Sequence, residues 1–93
     1  MTYHEPLEKL TPKTLDKQRA SQSLREELEA IEWYQQRIDA TENADLRKIL
    51  AHNRDEEKEH AAMLLEWLRR NDESFAKELK DYLFTEKEIG SHN

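Results

Sequence analysis

Residues 46–67, LRKILAHNRDEEKEHAAMLLEW, set Leu46, Leu50, Asn53, Glu57, His60, Leu64 and Trp67 at intervals of 4, 3, 4, 3, 4 and 3. That alternation is the repeat of helices packed side by side. Upstream, Ala20, Leu24, Glu27, Ile31, Tyr34 and Ile38 keep the same rhythm. Thr41-Glu42-Asn43 is the only turn-like stretch between them, and so short a loop joins antiparallel neighbours. The spacing predicts one helix from Thr11-Pro12 to about Ala40 and a second from about Ala44 to Arg70, ending at Asn71-Asp72. Thr11 offers a capping hydroxyl, and Pro12 has no N–H to leave unbonded in the first turn. Thr41 or Asn43 caps the second helix, and Ser74 caps a short third one reaching about Leu83. Residues 1–10 read as an irregular N-terminal arm, 11–84 as the helical domain and 85–93 as a C-terminal tail. The fold class is all-α, an antiparallel two-helix hairpin plus a short third helix.

The bulk numbers explain why such a chain needs help. It has 93 residues, 35% hydrophobic and 39% charged, so little apolar surface is there to bury. A domain of this size is marginal without a staple or a partner. No cysteine is present, which removes disulfides and thiolate metal sites. Oligomerisation, a metal site built without cysteine, or both must serve instead. The net charge of −6 excludes nucleic acid as a partner, because a phosphate backbone needs clustered Lys and Arg. No stretch approaches the ~20 apolar residues that span a bilayer, and no signal peptide is visible, so the expected location is cytoplasmic.

The polar residues inside the seams carry the chemistry. Glu27 occupies a core position of the first helix, and Glu57 and His60 occupy core positions of the second. Charged side chains are almost never buried unless paired or bound to metal. Glu27 lies about 15 residues before the turn and Glu57 about 15 after it, each about 22 Å away at the helical rise. They face each other at one level, and His60 shares a face with Glu57. A carboxylate-bridged di-iron bundle needs a Glu from each of two helices and a Glu-x-x-His pair from each of two more. This chain supplies half that set, so a two-fold dimer forming a four-helix bundle would complete it. Four carboxylates then balance two divalent cations. The oxygen and imidazole donors suit iron or manganese, with zinc as a competitor. Tyr34 is placed to donate a hydrogen bond near the site, and Glu26 and Glu29 form an acidic patch beside the seam.

At these residues the chain resembles the encapsulated ferritin family, the ferroxidase cargo of encapsulin shells. The likeness is carried by Glu26-Glu27-Leu28-Glu29-Ala30 with Trp33-Tyr34, by residues 52–63, by Leu65-Glu66-Trp67-Leu68-Arg69-Arg70 and by Tyr82-Leu83-Phe84-Thr85-Glu86. It covers most of residues 4–86. The resemblance implies that Glu27, Glu57 and His60 are iron ligands of a di-iron centre shared across a two-fold interface. It implies an entrance site for metal at Glu26 and Glu29, where Ca or another divalent cation can sit, with Trp33 flanking it and Tyr34 near the centre. It further implies a homodimer, a decamer built as a pentamer of dimers, and an encapsulin shell that encloses the protein and holds the iron mineral. Family members carry a C-terminal targeting peptide with a Gly-Ser-Leu-like core, whereas this chain ends at Ile89-Gly90-Ser91-His92-Asn93. Two expectations stand side by side: the tail is truncated where that peptide begins, or the chain does not load into a shell through such a peptide.

The expected activity is therefore oxidation of Fe(II) to Fe(III) by dioxygen or peroxide. The alternative is a non-enzymatic helical oligomerisation module with a structural metal at its interface. On that reading Glu27, Glu57 and His60 only fix the register, Glu26 and Glu29 form a solvated acidic face, and Trp33 and Tyr34 are ordinary packing. A rubrerythrin-like peroxidase is weaker, because such enzymes add a cysteine-bound iron. His4 and His92 are expected to be idle, and His52 lies off the seam. The metal-free chain is expected as a monomer or loose dimer that iron drives to higher order.

Overall fold

The computed structural model describes residues 3–90, and all regular structure among them is helical. After a single 3-10 turn at Leu7–Lys9 in the arm come α1 (Pro12–Ala40), α2 (Ala44–Asn71) and α3 (Glu73–Tyr82). Each start has a local cause. Thr11 Oγ1 accepts from the Thr14 N–H at 3.1 Å, with Pro12 in the first turn. Asn43 Oδ1 accepts from the Leu46 N–H at 2.9 Å, which decides between the two expected caps of α2. At α3 the cap is Asp72 and not Ser74: Asp72 Oδ1 accepts from the Phe75 N–H at 3.0 Å. Ser74 instead donates its hydroxyl to that same oxygen at 3.0 Å. Asp has the stronger claim because its carboxylate is also favoured by the partial positive charge of the helix start.

α1 and α2 form the expected antiparallel hairpin. Arg47 clasps the turn, donating to the carbonyls of Ile38 and Thr41 at the end of α1. Farther along, Arg54 Nη1 donates to Gln35 Oε1 at 2.8 Å, and at the far end Lys17 Nζ meets Asp72 Oδ2 at 3.5 Å. As the number on one helix rises, the number of its partner falls. α3 packs on α2 and makes no close backbone approach to α1.

The face of α2 turned toward α1 is offset from the seam read off the sequence. Ala61 and Leu68, each one residue beyond a seam position, are buried along with Ala20 of α1. Leu46 and Trp67, expected inside, are exposed. These three small burials are the whole core among the described residues. The hairpin spans 50 × 40 × 18 Å with a radius of gyration of 17.2 Å, against about 12 Å for a compact chain this long. It exposes 7669 Å², roughly 2000 Å² more than a folded 11.2 kDa monomer is expected to show. No helix among the described residues is long and apolar enough to cross a membrane.

Asp72 makes α3 sensitive to acid. The Phe75 N–H first, then the Ser74 hydroxyl, hold its carboxyl below the ordinary value of 3.8. A lowered carboxyl contributes stability above its unfolded pKa and loses it as pH falls through the folded one. The expected result is that amide exchange across residues 73–82 accelerates below about pH 4 while α1 and α2 stay protected. Asp72→Asn keeps the capping oxygen and should abolish that pH dependence. Asp72→Ala should speed the exchange at neutral pH as well.

Candidate metal centre

The hairpin brings Glu27 of α1 against Glu57 and His60 of α2. His60 Nδ1 stands 3.6 Å from Glu27 Oε2 and 3.5 Å from Glu57 Oε2. One donor atom from each residue lies within 4.8 Å of the others. These gaps are too long for good hydrogen bonds. Glu27 Oε2 is buried and has no hydrogen-bond partner. A buried carboxylate oxygen without a partner is costly, and it is the kind of atom that a cation satisfies.

The donor set fits a divalent ion. Ligand atoms each about 2.1 Å from one metal stand no more than about 4.2 Å apart, and both measured separations fall inside that limit. The set is also unfinished. It offers two carboxylates and one imidazole, and the His60 side chain is 44% exposed while those of Glu27 and Glu57 are 24% and 22% exposed. The opening lies on the His60 side of α2, where Ile49, Asn53, Glu56, His60, Met63 and Trp67 follow one another at intervals of 4, 3, 4, 3 and 4. Ile49, Met63 and Trp67 on this stripe are exposed. It is a second seam beside the one facing α1. The spacing could have disclosed it, but reading a single seam per helix conceals it.

Tyr34 stands seven residues from Glu27, about 10 Å along α1. Arg37 lies over its ring at 5.4 Å, and its hydroxyl makes no hydrogen bond to the cluster among the described residues. Glu26 and Glu29 are exposed, and among the described residues neither has an ion pair or hydrogen bond. They share a face of α1 with Trp33, which is 50% exposed and lines a shallow cavity of about 310 Å³ with Gln36 and Arg37. His52 lies outside the cluster, paired with Glu56 at 2.8 Å, and His4 is exposed. His92 and the end of the expected targeting tail lie outside the described residues.

Residues 2–86, which include every member of the cluster, match the EncFtn-like family. The chain belongs to that family. The EncFtn-like match bears out the resemblance carried by the stretches around Glu26–Tyr34, His52–Arg70 and Tyr82–Glu86. The chain is 62% identical over 86 residues to the encapsulated ferritin-like protein of Rhodospirillum rubrum, covering 92% of this chain and 61% of that protein. It is 39% identical over 80 residues to the encapsulin nanocompartment cargo protein EncC of Myxococcus xanthus, covering 82% of this chain and 62% of that one. It thus spans about three fifths of the length of both. Among solved structures it resembles protein ne0167 from Nitrosomonas europaea, with a TM-score of 0.90 and 60% identity over 98% of this chain and all of that one. A chain of this length and shape is therefore also found in a crystal structure.

Proposed function

We propose that this chain is half of a ferroxidase: two copies related by a two-fold axis form a four-helix bundle, and Glu27, Glu57 and His60 of each hold Fe(II) as it is oxidised to Fe(III). The buried, partnerless Oε2 of Glu27, facing His60 and Glu57, carries the reading. Iron is the substrate, and each Fe(II) gives one electron to dioxygen or a peroxide. Anionic oxygen donors favour the more highly charged ion, so Glu27 and Glu57 tilt the couple toward oxidation. His60 adds a neutral donor that limits the accumulated negative charge. Glu26 and Glu29, exposed and unpaired, act as the cation entrance with Trp33 beside it, and Tyr34 lies two seam steps along α1 from Glu27.

Pairing is supported by the excess exposed surface and by exposed Ile49, Met63 and Trp67 on the open side of His60. A standard interface takes about 800 Å² from each partner, well within the excess. The names of the Rhodospirillum and Myxococcus relatives support a place inside an encapsulin shell, which would store the iron this chain oxidises. A decamer of five dimers is the assembly proposed for it.

The test is an anaerobic Fe(II) titration followed by native mass spectrometry and then admission of air. The expected result is a dimer, or a multiple of it, saturating near one iron per chain. A near-ultraviolet ferric band should then grow faster than in buffer. Iron held without accelerated oxidation would instead favour a structural metal at the interface.

A further inference from the structure

His60 turns only one of its two ring nitrogens toward the cluster. Nδ1 faces Glu27 and Glu57 at 3.6 and 3.5 Å, while Nε2 has no partner among the described residues. An imidazole that binds metal through one nitrogen almost always donates its other N–H to an acceptor, which fixes the tautomer and the ring orientation. Glu56, one turn earlier on the open stripe of α2, does not serve its own His60. It is drawn back to His52, whose Nε2 stands 2.8 Å from Glu56 Oε1, and its Oε2 has no partner among the described residues.

The stripe itself says where an acceptor would come from. Its intervals of 4, 3, 4, 3 and 4 read the same in both directions and are centred at the level of Lys58, within one residue of the middle of α2. A two-fold axis crossing α2 at right angles there would overlay the whole helix with an antiparallel copy. Ile49 would stand level with the partner's Trp67, and Glu56 with the partner's His60. An axis running along α2 would instead set Glu56 against Glu56, opposing like charges. α1 offers no rival stripe: its exposed large apolar residues among those described, Leu28 and Trp33, are five apart and so about 140° apart around the helix.

We propose that Glu56 is a positioning residue for the partner's His60. Its Oε2 accepts the Nε2–H of that ring across the two-fold axis, which leaves Nδ1 without a proton and aimed at Glu27 and Glu57 of the same chain. His52 braces the other oxygen of the carboxylate. Each cluster is therefore oriented by a side chain that its own hairpin does not supply, and a lone hairpin binds metal through an imidazole free to turn. The inference rests on the pairing proposed above, and its test separates the two.

The full chain is loaded with Co(II), pairing is read by sedimentation, and proton resonances are recorded in water. Unpaired electrons on the metal shift the ring N–H of a bound imidazole far outside the ordinary range, and the signal survives in water only where a hydrogen bond slows its exchange. The unsubstituted chain should show that signal. Glu56→Ala should lose it and bind Co(II) about ten- to a hundredfold more weakly. Glu56→Gln keeps an acceptor oxygen and should restore the signal. His60→Ala has no such ring and should be silent. Mixing Glu56→Ala chains with His60→Ala chains should bring the signal back, because the first supplies His60 and the second supplies Glu56. A bond within one chain predicts silence from that mixture, since neither chain holds both residues. Silence from mixed pairs seen by native mass spectrometry overturns the proposal and leaves pairing standing, as does a paired Glu56→Ala chain that keeps the signal. An unsubstituted chain that stays single with Co(II) bound removes the pairing itself, and the role of Glu56 falls with it.

Discussion

Glu27→Ala should abolish retention of Fe(II) and bring air oxidation down to the rate of buffer, while leaving the metal-free hairpin at least as stable as before. The two halves of this result have one cause. Deleting even a partner that orients a ligand costs about ten- to a hundredfold in metal affinity, and Glu27 is a donor itself. In the proposed dimer, with half the donors coming from each chain, the substitution removes one carboxylate on both sides of the axis. Without metal, however, Glu27 carries a buried oxygen with no hydrogen-bond partner. Removing it relieves a desolvation cost of about 1–3 kcal/mol, against which the lost packing of one short aliphatic stem is small. Thermal unfolding in chelator should therefore hold its midpoint or rise. Glu57→Ala and His60→Ala should lose iron in the same way. The measurements are Fe(II) retained after desalting under argon, the oxidation rate in air, and the unfolding midpoint with chelator. A variant that unfolds more easily in chelator and still oxidises iron would show that the cluster holds the fold together and does no redox chemistry.

The opposite signs expected with and without iron reflect how the site was legible. The hairpin could be read because Thr11-Pro12, the Thr41–Asn43 turn and two uninterrupted heptad runs all agree locally. The cluster could be read because Glu27, Glu57 and His60 break a pattern that otherwise asks for Leu, at heights fixed by helical rise. Two details escaped. Ser74 looked like the cap of α3, but the chain turns one residue after α2 ends, so Asp72 already occupies the capping position. And a single seam per helix was assigned where the proposed four-helix bundle would need two, one toward each neighbour. Ala61 and Leu68 belong to the seam facing α1, while Ile49, Met63 and Trp67 belong to the other. Alternation by 4 and 3 cannot say which of two adjacent stripes faces the partner within the chain. Turn geometry and packing volume decide that.

The shortage of core leads to the second large effect. A chain whose only buried residues among those described are two alanines and Leu68 cannot offset its conformational entropy alone. Its stability should therefore depend on its concentration, with the unfolding midpoint rising steadily across a hundredfold range of protein. Fe(II) under argon should raise it further, by about 2.7 kcal/mol at a hundred times the dissociation constant. Trp67→Glu is the variant that isolates the cause. Trp67 does not belong to the buried face toward α1, so a charge there costs the isolated hairpin little. On the open stripe, in a dimer, it removes an aromatic anchor and buries a carboxylate, a loss of about 3–5 kcal/mol. The variant should sediment as a monomer at concentrations where the unsubstituted chain is paired. It should lose the concentration dependence of its midpoint and bind iron only weakly, although Glu27, Glu57 and His60 are untouched. A Trp67→Glu chain that stays paired and oxidises iron at the full rate would mean that some other face joins the two halves. A monomeric one that still oxidises iron would mean that three donors from one hairpin suffice.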